Sequence, residues 1–166
     1  MMYVGLYLLA IVLANLSVTY FGPQFAVFNS FVLIGLDLTC RDRLHEQWHG
    51  DRLWIKMLAL IATGSILSAA LSINALPIAI ASFVAFAATG LVDTLIFQRL
   101  FERPAWQRVN GSNLASAAVD SLVFSALAFG FPLAWSVIVA QYIAKVGGGL
   151  FWSFVFYRRS TTVPLT

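Results

Sequence analysis

Apolar residues fill six long stretches of this chain, Met2–Phe21, Phe25–Leu44, Leu53–Ile73, Leu76–Leu100, Asn113–Phe131 and Ala134–Tyr157, with polar residues collected between them. Each stretch runs to roughly 20 residues, the length a helix needs to cross a hydrocarbon core about 30 Å thick. The pattern predicts an all-α integral membrane protein, a bundle of six transmembrane helices. Turn-forming residues mark three of the breaks: Gly22 with Pro23, Asn74 with Pro77, and Pro132. The other two connections, Arg41–Arg52 and Arg99–Ser112, are longer and charged. Six spans use nearly every residue, so 1–166 reads as a single transmembrane domain. The first stretch is expected to be a retained helix rather than a secretory leader. No Lys or Arg precedes Arg41, and no small-residue cleavage pattern ends the run.

Composition agrees with the pattern. Of 166 residues, 60% are hydrophobic and 10% charged, whereas a soluble domain carries about a quarter charged residues. Cys40 is the only cysteine, so no internal disulfide forms. The net charge of +3 does not point to nucleic acid, because the basic residues sit at helix ends.

Those charges orient the bundle. Arg41, Arg43, Arg52, Lys56, Arg99, Arg103, Arg108, Arg158 and Arg159 all lie beside the second connection, the fourth connection or the C-terminus. The first, third and fifth connections carry no Lys or Arg. Basic residues favour the cytoplasmic side, which predicts both termini cytoplasmic and an even number of spans. Two halves of three helices then enter the membrane from opposite sides, a geometry compatible with a 3+3 inverted repeat and a midplane site. Asn29 with Asp37, and Asn113 with Asp120, form a short echo between the halves.

Away from the charged ends of the apolar stretches, four ionisable residues fall within them: Asp37, Asp93, Asp120 and Lys145. Each costs about 2.5–3.5 kcal/mol at a helix centre on insertion scales, so such residues face a polar interior. From the helical rise, Asp120 and Lys145 are predicted near the midplane, within reach of each other. Asp37 and Asp93 lie nearer the cytoplasmic end. Three helical stripes follow: Phe86, Gly90, Asp93 and Phe97; Asn113, Ser116, Asp120 and Phe124; Gln141, Lys145, Gly148 and Trp152. Each joins an ionisable group to small or amide residues and an aromatic, a lining suited to a flat heteroaromatic ligand. The plainer reading is a structural ion pair between Asp120 and Lys145, and the two readings are compatible. Gly147, Gly148 and Gly149 read as a packing notch, and Tyr20, Trp54 and Tyr157 as interfacial anchors.

His45-Glu46-Gln47-Trp48-His49 matches the H-E-x-x-H zinc-hydrolase pattern. No other histidine exists, so a third ligand has to be a carboxylate, and Gly50 directly follows the motif. A solvated, charged helix end is the expectation, with a membrane zinc hydrolase as the alternative. Asp93 and Asp120 do not sit in the motifs of an intramembrane aspartyl protease. No metal or other cofactor is expected, and no catalytic residue.

The stretches Ser82–Phe86 and Leu91–Leu100, the basic loop Pro104–Arg108, Asn113–Phe124 and the Lys145 helix resemble the vitamin uptake transporter family, also described as queuosine precursor transporters. In the first half the likeness rests on Asn15, Phe31 and Leu36–Thr39. The resemblance implies a multi-pass importer in the bacterial inner membrane. Its cargo would be deazaguanine precursors of queuosine, in cyano or aminomethyl form, and it would work without an ATPase module. On this reading Asp93 and Asp120 accept the base's N–H groups, Lys145 holds Asp120 charged, and Asn29, Asn113 and Gln141 add polar contacts. Phe86 or Trp152 stacks. Arg41 neutralises Asp37 one turn away, leaving Asp93 to carry a proton. No phosphate-binding glycine loop occurs in the sequence, so uphill uptake needs an ion gradient or a partner. The alternative is the substrate-binding subunit of an energised importer, whose partner complex would co-purify with it.

Overall fold

The computed structural model describes residues 2–48, 52–100 and 105–157. Its first helix, α1, runs Met2–Phe21 and stops at Gly22, whose φ of 81° suits a residue without a Cβ. Pro23 occupies the opening turn of α2, Pro23–Asn29, where its missing N–H removes nothing from the helix. A π-helical turn, Ser30–Ile34, joins α2 to α3, Gly35–Gln47, and the three segments make one continuous second span.

After the charged connection, α4 covers Leu53–Leu71. Ser72 is extended and leads through a 3-10 turn, Ile73–Ala75, into α5, Leu76–Arg99. Helix α6 spans Ala105–Phe129, Gly130 ends it with φ 73°, and α7 follows at Trp135–Tyr157. Six segments are long and apolar enough to cross a membrane.

The fifth membrane-spanning segment, Gly111–Phe129, agrees with the apolar stretch that starts at Asn113, but the helix that carries it is longer. Helix α6 begins eight positions before Asn113 and runs through Asn110 and Gly111 without a break. A Cβ at Gly111 would meet the Leu100 side chain, just past the end of α5, at 2.8 Å. Helices α5 and α6 pack on each other more extensively than any other pair.

The packing order puts α1 at the centre, against α2, α3, α4 and α5, while α7 closes the bundle against the second span and α6. Tyr3 packs on Phe156 at one end, with ring centroids 6.0 Å apart. At the other end Tyr20 reaches Ser72 at 3.3 Å. The first of these is the basic end, carrying the charged connections.

Leu9, Ile55, Ile66, Leu95 and Phe154 are exposed, whereas Asn15, Asp37, Ser68, Gln141 and Lys145 are buried. That inversion of the soluble pattern is what a lipid solvent selects, because hydrocarbon offers polar groups no partner. Buried hydroxyls are also absorbed locally: Ser30, Thr39, Ser68, Thr89 and Ser121 each donate to the carbonyl one turn back.

The tightest crossing lies between the π-helical turn and α7. A Cβ on Gly148 would run into the backbone carbonyl of Phe31, and one on Gly35 into the backbone of Gly148. Small residues let membrane helices approach this closely. Beside the crossing, Trp152 Nε1 donates to the Val32 carbonyl at 2.9 Å, tying α7 to a turn whose own hydrogen bonding is irregular.

Candidate functional site

Two cavities lie one above the other along the bundle. The upper one, farther from the basic end, is bordered by Asn15 of α1, Asn29 of α2, Asp120 and Phe124 of α6, and Gln141 and Lys145 of α7. Phe86 of α5 forms its floor. Each element delivers its polar residue by the spacing that puts it on the inward stripe: Gln141 and Lys145 are one turn apart on α7, as are Asp120 and Phe124 on α6.

The charged pair is tightly made. Lys145 Nζ stands 2.7 Å from Asp120 Oδ2 and donates to Ser121 Oγ at 3.2 Å. Lys145 is 2% exposed, so desolvation would strongly disfavour it without those partners. Gln141 Nε2 donates to Ser125 Oγ at 3.1 Å. Asn29 Nδ2 donates to Ser17 Oγ at 2.7 Å and to the Ala14 carbonyl at 3.2 Å. Its other polar atom, Oδ1, is buried and receives no hydrogen bond from the described residues. An acceptor left in that state costs about 1–3 kcal/mol, so a cavity-facing Asn29 is suited to a donor from outside the protein.

Asn15 organises the same wall. Its Nδ2 donates to Ser68 Oγ at 3.0 Å, and Ser82 Oγ donates to its Oδ1 at 2.6 Å, linking α1, α4 and α5. Asn15→Ala should lower the thermal midpoint of the purified protein through a loss of about 1–3 kcal/mol. An unchanged midpoint would show the two serines to be satisfied without it.

The lower cavity, toward the basic end, is bordered by Tyr7, Asp37, Arg41, Trp54 and Asp93, with Phe86 as its ceiling. Arg41 approaches Asp93 at 3.9 Å, and Ser116 Oγ donates to Asp93 Oδ1 at 3.3 Å. The sequence reading set Arg41 against Asp37, one turn back on its own helix. The long guanidinium side chain also reaches across to α5, so the two carboxylates border one cavity with it.

Of the residues predicted from sequence, Asn29, Phe86, Asp120, Gln141 and Lys145 come together around the upper cavity. Asp93 does not join them; it lies below Phe86 with Asp37 and Arg41. Trp152 borders neither cavity and commits its indole to Val32, while stacking near Phe151 and Phe156. Asn113 is half-buried on α6 and also borders neither. The side chains of His45 and Glu46, and all of His49, lie outside the described residues. Among the described residues, no group of His, Cys, Asp or Glu is arranged to hold a metal.

Stripe reasoning passed over Ser82 and Ser30, which line the upper cavity, and the pairing of Ser121 and Ser125 with its charged and amide groups. Serine is common in membrane helices, so nothing in the sequence marks these four apart. Asn15 entered the sequence reading only through the family likeness, not as a residue of the site.

The upper cavity measures about 30 Å³ and the lower about 40 Å³. A water needs roughly 10–15 Å³ by this measure, so each holds a few waters and widens before it takes an organic molecule. The model of a family described as a putative vitamin uptake transporter matches residues 2–158. No curated protein and no solved structure matches the chain.

Proposed function

Because the chain belongs to the putative vitamin uptake transporter family, we propose that it imports a purine-like base of the deazaguanine class, a queuosine precursor, bound in the upper cavity. The observation that carries this reading is the Asp120–Lys145 pair in a wall that also offers Asn29 Oδ1 as a buried acceptor. A deazaguanine presents a ring N–H and an exocyclic amine on one edge, and a carboxylate and an amide oxygen are the acceptors those donors need. Lys145 pairs with Asp120 in the empty state and supplies a donor for the base's carbonyl oxygen. Phe86 and Phe124 offer apolar faces for the ring. Asn29 and Gln141 fix the edges.

The Lys and Arg residues of the basic end support a cytoplasmic side there, with both termini on that side and the upper cavity toward the outside of the inner membrane. Coupling to protons is assigned to the lower carboxylates, Asp37 and Asp93. Arg41 stands 3.9 Å from Asp93, and both carboxylates border the same cavity as its guanidinium.

The test is thermal stabilisation of the detergent-purified protein across a panel of deazaguanines, guanine and vitamins, followed by uptake into liposomes with and without an imposed pH gradient. Stabilisation by the cyano or aminomethyl deazaguanine, and not by vitamins, is expected. Stabilisation by a vitamin alone would replace the cargo. Uptake indifferent to the gradient would remove proton coupling, and a requirement for a co-purifying ATPase would make the chain a binding subunit.

A further inference from the structure

Among the described residues, Phe86 alone borders both cavities, and it is buried within the apolar cluster that includes Tyr7, Ile11, Met57 and Ile61. Three elements serve both spaces at successive depths. Helix α1 gives Asn15 above and Tyr7 below; the second span gives Asn29 above and Asp37 below; α5 gives Ser82 above and Asp93 below. With a rise of 1.5 Å per residue, these pairs are separated by about 12–17 Å along their helices. The two spaces are therefore stacked along the membrane normal, one aromatic ring apart.

Their chemistry is matched as well. Above, a carboxylate pairs with Lys145 beside Phe86 and Phe124. Below, a carboxylate pairs with Arg41 beside Phe86, Tyr7 and Trp54. Each joins an acceptor, a cation and flat apolar faces, the combination that recognises a heteroaromatic ring with polar edges. A bundle held together only by its upper pair has no need of a second set of buried charges, each expensive in a membrane.

We propose that the lower cavity, walled by Tyr7, Asp37, Arg41, Trp54 and Asp93, is a second station for the same cargo, reached from the upper one past the ring of Phe86. The assignment rests on the upper cavity being the entry site for a deazaguanine. In the lower station Asp93 and Asp37 accept the N–H edge, Arg41 donates to the carbonyl oxygen, and Trp54 covers a ring face. The α4 side of this station, at Trp54 and Leu58, reaches the surface of the bundle: they are 44% and 43% exposed.

Leu58→Cys places a reporter in that wall, and the purified protein is labelled with a maleimide with and without cyano-deazaguanine. The base is expected to slow labelling at least threefold. Adding Asp93→Asn should abolish that protection while stabilisation by the base, read as a thermal shift, persists from the upper cavity. Should Asp93→Asn fail to fold, Gly90→Leu does the same by filling the space, since a Cβ at Gly90 already lies 3.5 Å from the Trp54 ring. Labelling unaffected by a base that does stabilise the protein overturns the lower station alone. Protection that survives both Asp93→Asn and Gly90→Leu overturns it too, as closure around the upper cavity would then account for it. A base that gives no stabilisation overturns the upper-cavity reading, and this one with it.

Discussion

Asp120→Ala is expected to destabilise the folded protein by about 3–5 kcal/mol, the range for removing one partner of a buried ion pair. The penalty comes from the survivor. Lys145 is 2% exposed, and without Asp120 its ammonium keeps, among the described residues, the Ser121 Oγ contact at 3.2 Å. Removing both charges has a different sign. Asp120→Leu with Lys145→Met leaves no stranded charge, and apolar replacement of buried pairs is often neutral or stabilising. The double variant should therefore regain a wild-type midpoint in a detergent unfolding series while losing stabilisation by cyano-deazaguanine. Wild-type affinity in the double variant would remove the pair from the binding site and leave it a purely structural bridge.

Gly148→Ala is expected to be as damaging as any single methyl in the chain. The added carbon would be driven into the backbone carbonyl of Phe31, and backbone cannot rotate aside as a side chain does. Overpacking ordinarily costs about 1–3 kcal/mol, and more where the opposing atoms are fixed. The neighbouring glycines supply the controls. A Cβ at Gly147 would lie 3.5 Å from the Phe31 ring, and one at Gly149 would lie 3.8 Å from Leu38 Cδ1, both ordinary contacts. Gly147→Ala and Gly149→Ala should purify as monodisperse protein, and Gly148→Ala should not. Equal yields and midpoints for all three would mean that the second span and α7 do not cross this closely in the membrane.

The spans were legible because a bilayer imposes a length and a polarity that few soluble segments share, and the hydrophobic runs meet both. The Asp120–Lys145 pair was legible for a related reason: two charges at similar depth have little choice of partner. What the stripes could not give was depth within a face. Phe86 and Asp93 do share a face of α5, but seven residues separate them by about 10 Å, enough to put a ring between Asp93 and the upper cavity. Lys145 and Trp152 stand in the same relation on α7, so Trp152 meets the second span below the cavity instead of lining it. The helical turns of α6 before Gly111 were not legible from the apolar stretch, because they precede its membrane-spanning part, Gly111–Phe129, and are largely polar.

The π-helical turn at Ser30–Ile34 also sets the phase of the second span. In uninterrupted α-helix each residue advances about 100°, so the eight steps from Asn29 to Asp37 would leave them about 80° out of phase. The wide turn at Ser30–Ile34 absorbs one residue without advancing the face, and the remaining seven steps return to within about 20° of the start. That is the same interval as Asn113 to Asp120 on an unbroken helix. The spacing of the two Asn–Asp pairs differs by one in the sequence, and that one residue is the slack taken up by the turn. A single helix is thereby kept in phase over both storeys of the bundle, presenting Asn29 to one and Asp37 to the other.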